Sequence, residues 1–365
     1  MRVLMVCKRQ YTGRDLLDDR YGRLHEIPAG LAALGHEVLV VAASYRRSGA
    51  VDRFADGVHW LGVDVLPWPG ALFAAWRGAA RTFRPDVIVA SSDALHLVAG
   101  ERFARRLALP VVLDLYDDYE SFGLTRLPGL RAALRSACTR ADALVAVSRA
   151  LAALLVERGV AVDRITVIGN GVPVQFAPDL SRDQARMALG LPGGVPLVGT
   201  AGALSFGRGI DDLFSAFERL QSSRPGVRLV LAGPCDRDVG AAIPRGTLDL
   251  GHRPHPEVGL VFRALDVGVV CNRDDAFARA CHPMKLVEMA ACGLPLVAAD
   301  IGEVSRLLAD RPDARYVAGD AGMLALRIGA QLDSPAPVDP GLAEPWTSLA
   351  ERFAAVLDAT VGAHH

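Results

Sequence analysis

The sequence predicts an α/β protein with two domains, each built on a parallel β-sheet. Short apolar runs of strand character alternate with helical patterns along most of the chain, an order typical of parallel α/β sheets. The chain has 365 residues, more than a single hydrophobic core usually holds. A stretch rich in Gly, Pro and Asp, residues 169–194, separates two blocks that each restart the strand–helix series.

The first block begins with a strand at Arg2–Val6. A long charged loop, 8–23, follows it, and a loop at this end of a first strand is where doubly wound folds bind ligands. The remaining elements follow in alternation. Strands are expected at 36–43, 57–67, 85–92, 110–118, 141–148 and 164–171, and helices at 25–34, 71–83, 98–107, 130–140 and 149–158.

The second block repeats this rhythm without repeating the sequence. Its apolar runs and their intervening helices end in a Pro-rich segment before one last helix. Strands are expected at 195–202, 227–233, 247–251, 266–272 and 294–299, and helices at 210–220, 260–264, 283–292, 303–310 and 346–357.

Composition excludes several classes of protein. The net charge of −1 offers no electrostatic footprint for nucleic acid, and six cysteines without a CxxC pair predict a reducing compartment. The first strand breaks at Lys8, unlike a signal peptide, and no apolar run reaches the ~18 residues that span a bilayer. We therefore expect a cytoplasmic protein. Among its 40 Lys and Arg residues, only Lys8 and Lys285 are lysines.

The stretch PMKLVEMAACGLPLVA, residues 283–298, predicts a helix that opens with a ligand site. Pro283 is expected at the first helical position, where its missing N–H costs no hydrogen bond. Lys285 and Glu288 share one side of the helix, so the cation can face a phosphate and the carboxylate can accept from sugar hydroxyls. An ordinary amphipathic helix with solvated polar residues is the alternative.

A second candidate is the glycine-bearing loop 202–209, between a strand and a helix. Gly202 would let backbone N–H groups approach a phosphate, and Arg208 would join Lys285 at the same sheet edge. Two cations there would stabilise a leaving nucleoside diphosphate. The loop matches neither the P-loop nor the GxGxxG pattern, and a simple tight turn is the alternative reading.

Acidic residues offer a third candidate site. Asp114, Asp117 and Asp118 end a strand of the first block, where a carboxylate could orient an acceptor hydroxyl or act as a base. They could also bind a divalent ion, and Asp236 and Asp238 form another acidic group, although neither group has ligand spacing. Solvated loops explain both groups equally well. Isolated histidines, His25 and His96, are expected to be structural.

These segments together resemble a GT-B-fold retaining glycosyltransferase of family 4. The resemblance spans nearly the whole chain and is carried by GHEVLVVAA, IGNGVPVQFAP, GALSFGRGIDDLFSAF, the P-x-K-x-x-E run followed by CGLPLVA, and EPWTSLAERFAAVL. It implies two Rossmann-like domains facing each other across a cleft. The expected boundaries are 1–172 for an acceptor-binding domain, 173–345 for a nucleotide-sugar-binding domain, and 346–365 for a helix that returns to the first domain.

The resemblance also assigns roles to residues. Arg208 and Lys285 would bind the donor diphosphate, Glu288 would hold the ribose hydroxyls, and loop 279–283 would contact the diphosphate and sugar. We expect the catalytic residues to be Arg208, Lys285 and Asp117. The expected donor-binding residues are Gly202, Arg208, His252, Arg253, His282, Pro283, Met284, Lys285 and Glu288. The expected acceptor or cleft residues are Arg20, Tyr21, Gly22, Asp93, Asp114, Tyr116 and Asp117.

Three positions depart from the family pattern. Ala280 stands where the first glutamate of an E-x7-E pair would contact the transferred sugar. Ala203 replaces an arginine that often follows the loop glycine, and Tyr116 stands where many relatives have a cleft histidine. The identity of the transferred sugar is therefore open.

The resulting hypothesis is retaining transfer of a sugar from a nucleoside diphosphate, UDP favoured, to an acceptor hydroxyl without a bound metal. Polysaccharide, glycolipid or natural-product biosynthesis would use such a step. A nucleotide-sugar epimerase and a non-catalytic binding protein of the same fold are the alternatives. Basic segments at 77–84 and at Arg126, Arg131 and Arg135 leave peripheral membrane contact open, as solvated helix faces would explain them too. The oligomeric state is not predicted.

Overall fold

A computed structural model describes residues 1–11, 14–68, 70–121, 123–174 and 176–364. The chain divides into two units. The first holds Met1–Asn170, Ala280–His282 and Trp346–His365, and the second holds Gly171–Arg279 and Pro283–Pro345. The expected domain 173–345 is thus interrupted by three residues that belong to the first unit.

The first unit is built on an eight-stranded sheet in the order β10-β9-β8-β7-β1-β4-β6-β5. All pairs are parallel except β5 with β6. The central strands are buried along their length, as continuous apolar runs covered on both faces should be. The strands of this unit are β1 (Arg2–Lys8), β2 (Gln10–Tyr11), β3 (Arg14–Asp15), β4 (Glu37–Ser44), β5 (Val51–Ala55), β6 (Val58–Asp64), β7 (Val87–Ser91), β8 (Val111–Leu115), β9 (Ala143–Ala146) and β10 (Ile165–Val167).

Helices connect these strands. Three of them have side-chain N-caps, Asp15, Asp93 and Ser148, each accepting from a backbone N–H of the first turn. The helices are α1 (Leu16–Asp19), α2 (Arg23–Ala33), α3 (Gly70–Phe83), α4 (Ala94–Arg106), α5 (Leu130–Arg140) and α6 (Arg149–Glu157).

The second unit has a six-stranded parallel sheet in the order β13-β12-β11-β14-β15-β16. Its strands and helices, in chain order, are α7 (Arg182–Leu189), β11 (Leu197–Ala201), α8 (Ile210–Ser223), β12 (Arg228–Ala232), α9 (Arg237–Ala242), β13 (Leu248–Asp249), α10 (His255–Ala264), β14 (Val267–Val270), α11 (Ala276–Ala280), α12 (Met284–Ala291), β15 (Leu296–Ala299), α13 (Glu303–Leu307), β16 (Arg315–Tyr316) and α14 (Ala321–Asp333). The last residue of α11, Ala280, belongs to the first unit.

Alternating side chains of the second sheet enter two separate apolar cores. Val230 and Ala232 of β12 join one cluster, and Leu229 and Leu231 join the other, because successive side chains of a strand point to opposite faces. Helix α8 packs into the second cluster through a helical-period stripe. That stripe consists of Ile210, Leu213, Phe214, Phe217 and Leu220.

The terminal helix α15, Trp346–His364, packs on α2 in the first unit. Gly30 permits this close approach, because a Cβ at that position would overlap the side chain of Ala350. The prediction that the last helix returns to the first domain is confirmed. The prediction of two parallel α/β sheets is confirmed as well.

Several elements differ from the sequence prediction. The edge strand β5 was missed, although Asp56-Gly57, both at positive φ, forms the tight turn that leads back into β6. Helices α7, α9, α11 and α14 were also missed, and the 8–23 loop contains the β2–β3 hairpin and α1. Pro283 precedes α12 as its N-cap, so the expectation that it is the first helical residue is wrong by one position.

Candidate active site

The site of the second unit starts at Gly202, directly after β11. Gly202 has φ +104, a conformation that favours glycine. A Cβ there would lie 2.9 Å from Lys285 Cε, so the lysine side chain of α12 lies directly over this glycine. A Cβ at Gly233, after β12, would overlap the Gly202 carbonyl, so these two backbone segments also approach closely. The end of β11 is thus a backbone platform under the Lys285 ammonium.

Lys285 is half-buried at this platform. Burial lowers the pKa of its ammonium, Cys271 and Glu288 oppose that shift, and the charge of Arg208 reinforces it. Two cations therefore lie close enough to disfavour each other's charge. A multiply charged anion between them would relieve this repulsion.

Arg208 ends a short 3-10 turn, Phe206–Arg208, and is exposed. Its guanidinium lies 3.7 Å from the centroid of the Phe277 ring, a cation–π contact that limits its motion while leaving its N–H groups accessible. The sequence analysis did not identify Phe277. Its only sequence signal is an aromatic residue within the RDDAFARACH loop, where α11 begins.

Arg273, also missed, holds the loop that carries Arg208. Its guanidinium donates to the Phe206 carbonyl at 3.3 Å and pairs with Asp211 and Asp212 at the start of α8. Asp212 is buried and also accepts from Tyr316 Oη at 3.2 Å and from the Gly319 N–H at 2.8 Å. Both acids that open α8 thus pair with Arg273 of their own unit.

Glu288 lies one helical turn beyond Lys285 and is buried. Its Oε1 lies 2.8 Å from Nε2 of His255, the first residue of α10. The ring of Phe176 lies against His255, with the centroids 5.2 Å apart. The carboxylate proposed for sugar hydroxyls therefore has a histidine partner that the sequence analysis missed, having chosen the neighbouring positions 252 and 253.

Two further predicted donor-binding residues, His252 and Arg253, lie in the turn between β13 and α10. Arg253 donates to the Leu250 carbonyl at 3.1 Å and to Glu257 at 3.3 Å, so its guanidinium braces the turn between β13 and α10. Its expected contact with the donor stays a prediction. His252 is exposed at the same turn.

The opening of α12 lacks a side-chain cap. Pro283 and Met284 are half-buried, and the Pro283 carbonyl accepts from Leu286 and Val287. Their place beside Lys285 agrees with a helix start that presents N–H groups to an anion.

His282 and Ala280, by contrast, belong to the first unit. A Cβ at Gly169 would lie 2.7 Å from His282 Nε2, so the ring packs on that glycine. The Ala280 carbonyl accepts from Ser148 Oγ at 2.6 Å, and its side chain is fully buried. His282 therefore packs on Gly169 within the first unit, and its expected donor contact stays a prediction.

Asp114 was expected to line a cleft, and the structure contradicts this. Its carboxylate is fully buried in β8, where it pairs with Arg23 Nη2 at 2.7 Å and accepts from Ser91 Oγ at 2.9 Å. Arg23 also donates to the Ile168 and Gly169 carbonyls. Asp114 is the acid of a buried ion pair, and Asp118 is held in the same way by Arg158 at 2.7 Å.

Asp93 forms a second polar group at the end of β7. Its carboxylate accepts from His96 Nδ1 at 2.9 Å and from Tyr45 Oη at 3.1 Å, while its side chain is 18% exposed. Burial alone would raise the pKa of Asp93, but the charge and hydrogen bonds of His96, with the charge of Lys8, lower it to about 2. Asp93 is therefore an anion held within the first unit.

The other predicted first-unit residues occupy several places. Tyr116 is buried and donates to the Ser92 carbonyl at 3.0 Å, and Asp117 is half-buried in the loop after β8. Arg20 pairs with Asp56 at 3.6 Å. The ring of Tyr21 faces the Arg14 guanidinium at 4.7 Å, and Gly22 is the N-cap of α2 at φ +73.

The described residues also bear on metal binding and on membrane insertion. Over the described ranges, no group of three His, Cys, Asp or Glu side chains is arranged to hold a metal ion. Asp236 is the N-cap residue of α9, and Asp238 accepts from the backbone N–H of Val239. In those same ranges, none of the helices has the length and apolar character to cross a membrane.

Two protein-family models match the chain. The model described as "Glycosyl transferase 4-like domain" matches residues 23–171, and the one described as "Glycosyl transferases group 1" matches residues 195–334. The matched segments hold β7, β8 and their exit loops in the first unit, and both Arg208 and Lys285 in the second.

Similar proteins point the same way. A GDP-mannose-dependent alpha-mannosyltransferase of Mycobacterium tuberculosis is 30% identical, over 74% of this chain and 72% of the relative. A glycogen synthase of the same species is 25% identical over 92% of this chain and 87% of the relative.

Solved structures share the fold at low identity. Sucrose-phosphate synthase from Thermosynechococcus elongatus has a TM-score of 0.73 at 16% identity, covering 99% of this chain and 96% of that one. Anabaena HepE, in complex with UDP, has a TM-score of 0.75 at 18% identity, covering 98% of this chain and 100% of that one.

Proposed function

Because the chain belongs to the GT-B-fold glycosyltransferases of family 4, we propose that its second unit binds a nucleoside-diphosphate sugar through Arg208, Lys285 and Glu288. The enzyme is a hexosyltransferase, like the relatives it matches. It would transfer the sugar with retention of anomeric configuration to an acceptor hydroxyl on the first unit. The products would be a polysaccharide, a glycolipid or a glycosylated natural product.

One observation carries this proposal. Lys285 lies over Gly202 at the end of β11, with the charge of Arg208 acting on it and Glu288 one turn further along the helix. Two cations over a glycine platform suit a diphosphate, and a carboxylate at the next turn suits a ribose diol. The cations and then the carboxylate follow one another in the order of the diphosphate and the ribose of a sugar nucleotide.

The chemical role of the cations follows from where charge develops. When the sugar–phosphate bond breaks, negative charge grows on the departing diphosphate, and fixed cations stabilise that state more than the substrate. In this proposal Arg208 and Lys285 supply that stabilisation, and no metal is required at the leaving group. Asp117 would contact the acceptor side.

The nucleotide is the next question. We favour UDP, since a structural neighbour is described with UDP and another structure of it with UDP-glucose. The mannosyltransferase relative is named for GDP-mannose, which makes GDP the main competitor. Ala280 provides no carboxylate where relatives would contact the sugar, so the sugar has to be identified by assay.

A donor screen tests the proposal. Unfolding temperatures would be measured with UDP-, GDP-, ADP- and dTDP-sugars, because a ligand that binds the folded state stabilises it more the tighter it binds. We expect one nucleotide class to stabilise the protein, and mass spectrometry to detect transfer or hydrolysis of that donor. Stabilisation by none of the four would contradict the proposal.

We also propose that the first unit contacts the cytoplasmic face of a membrane. A groove of about 520 Å³ is lined by apolar Leu107 and Leu109 and by four arginines, namely Arg2, Arg77, Arg81 and Arg84. On the exposed side of α3, Phe73 is 42% exposed.

Cosedimentation with vesicles of anionic and of neutral lipid tests this membrane contact. Binding to anionic vesicles that is lost in an Arg77→Glu/Arg81→Glu variant supports it, and equal binding to both kinds opposes it.

A further inference from the structure

A buried contact pair lies next to the proposed ribose acceptor. His255 Nε2 and Glu288 Oε1 are 2.8 Å apart, and the two side chains are 15% and 6% exposed. A carboxylate can only accept hydrogen bonds, so His255 Nε2 carries the proton and donates. The hydrogen bond to a charged acceptor, in a site shielded from water, fixes the plane of the carboxylate.

The His255 ring is itself held from its other side. Phe176 lies against it at 34° between ring planes and is only 5% exposed. The backbone of Phe176 approaches α10 at Gly259, where a Cβ would overlap the Phe176 carbonyl. Gly259 is one turn along the helix from His255, so one face of α10 carries the histidine and also accepts the segment that packs against it.

Because His255 fixes the Glu288 carboxylate, the lone pairs that His255 does not use point in a defined direction. No described residue forms a hydrogen bond to Glu288 Oε2, and Oε1 keeps a second lone pair after accepting from His255. A ribose presents two neighbouring hydroxyls that can donate to these two oxygens. A 2′-deoxyribose presents one of them, so only ribose benefits fully from a fixed carboxylate.

We propose that His255 is a positioning residue that makes the donor site selective for ribonucleotides over 2′-deoxyribonucleotides. This inference rests on the proposed role of Glu288 as the ribose acceptor. His255 acts by orienting Glu288 and does not itself contact the reacting atoms.

The test compares matched ligands by calorimetric titration. UDP and 2′-deoxy-UDP, and in parallel GDP and 2′-deoxy-GDP, are titrated into the wild type, His255→Ala, His255→Gln and Glu288→Gln. Glu257→Gln is the control, because its side chain is 45% exposed on the same helix. Unfolding temperatures of all variants are recorded, and Phe176→Leu, which loosens the ring without removing the hydrogen bond, serves if His255→Ala fails to fold.

We expect the wild type to bind the ribonucleotide more tightly than its 2′-deoxy form. His255→Ala should weaken the ribonucleotide about tenfold and the deoxynucleotide less than about twofold, because the lost interaction is a charge-assisted hydrogen bond that acts through one hydroxyl. His255→Gln should keep most of the preference, since its amide can donate to Glu288. Phe176→Leu should give an intermediate loss.

Two results overturn the inference while leaving the proposed function intact. One is an equal loss for both ligands in His255→Ala, which indicates a purely structural role. The other is that Glu288→Gln loses the preference for the ribonucleotide while His255→Ala keeps it. If the wild type binds no nucleoside diphosphate, or prefers dTDP to UDP and GDP, the assignment of Glu288 to the ribose fails, and the inference fails with it.

Discussion

Polar residues at the carboxyl ends of the two sheets are used in opposite ways. In the second unit, Lys285 lies over a glycine platform, and the neighbouring charge of Arg208 disfavours its ammonium. In the first unit, Asp114 and Asp93 are each enclosed by partners of the same unit. The first arrangement suits an anionic ligand, and in the second the charges are balanced within the unit.

The difference shows that position at a strand end is not enough to identify a ligand-binding residue. Parallel strands deliver polar side chains to one edge of each sheet. A buried charge needs a partner, so an acid that pairs with a cation of its own unit, like Asp114, has a structural role, whereas neighbouring cations such as Lys285 and Arg208 favour an anionic ligand. The comparison can be tested at both edges.

The largest effect is expected at the carboxyl edge of the first sheet, where Asp114 is enclosed by its partners. Arg23→Met leaves the Asp114 carboxylate buried without its cation, which should lower the free energy of unfolding of the first unit by about 3–5 kcal/mol. Chemical denaturation measures this. The matched control is Arg135→Ala, whose side chain is 50% exposed; Glu120 keeps Arg158 at 3.5 Å, so the loss should be less than about 1 kcal/mol. Similar losses in both variants would show that the Asp114 pair has no special structural role.

At the corresponding edge of the second sheet, substitutions of Lys285 and Arg208 should affect turnover more than stability. Lys285→Ala should lower kcat with the best donor about 100-fold, or about 2.7 kcal/mol, and Arg208→Ala, which is more exposed, about tenfold. Steady-state rates of transfer or hydrolysis measure both. Arg245→Ala, an exposed arginine of the same unit, should keep its rate. Unchanged rates in both site variants would remove these residues from the diphosphate site.

A smaller effect should separate Asp93 from a ligand-binding acid. Its pKa of about 2 lies below the ordinary 3.8, so ionised Asp93 stabilises the fold above pH 4, and this contribution is lost as the pH falls toward 2. Wild type should therefore exceed Asp93→Asn in stability by about 2 kcal/mol at pH 6, and the gap should shrink in acid. Denaturation curves from pH 2 to 6 give the answer, and a gap that does not change with pH would refute this account of Asp93.

The sequence was a good guide where function depends on neighbouring positions. Lys285 and Glu288 were identified because one helical turn places them on one side, and Gly202 because a glycine lets backbone N–H groups approach a phosphate. The partners that decide their roles lie far away in the chain. His255 is 33 positions from Glu288, and no local pattern connects them.

The errors have the same origin. Asp114 was read as a cleft residue because its partner Arg23 lies 91 positions earlier, at the start of α2. Helix α14 was missed because the exposed Leu326 blurs its apolar period. Helix α7 could have been found from its capping box, Ser181 with Gln184, which is visible in the sequence.

The central claim is that Lys285 binds the diphosphate of the donor, and one measurement tests it most directly. Wild type and Lys285→Ala are titrated with UDP, with GDP, and with uridine and guanosine, which lack phosphates. The claim predicts that Lys285→Ala weakens the preferred nucleoside diphosphate tenfold or more and leaves the matching nucleoside unchanged, about the effect of one charge-assisted contact. Equal weakening of nucleoside and nucleoside diphosphate, or no weakening of either, would contradict it.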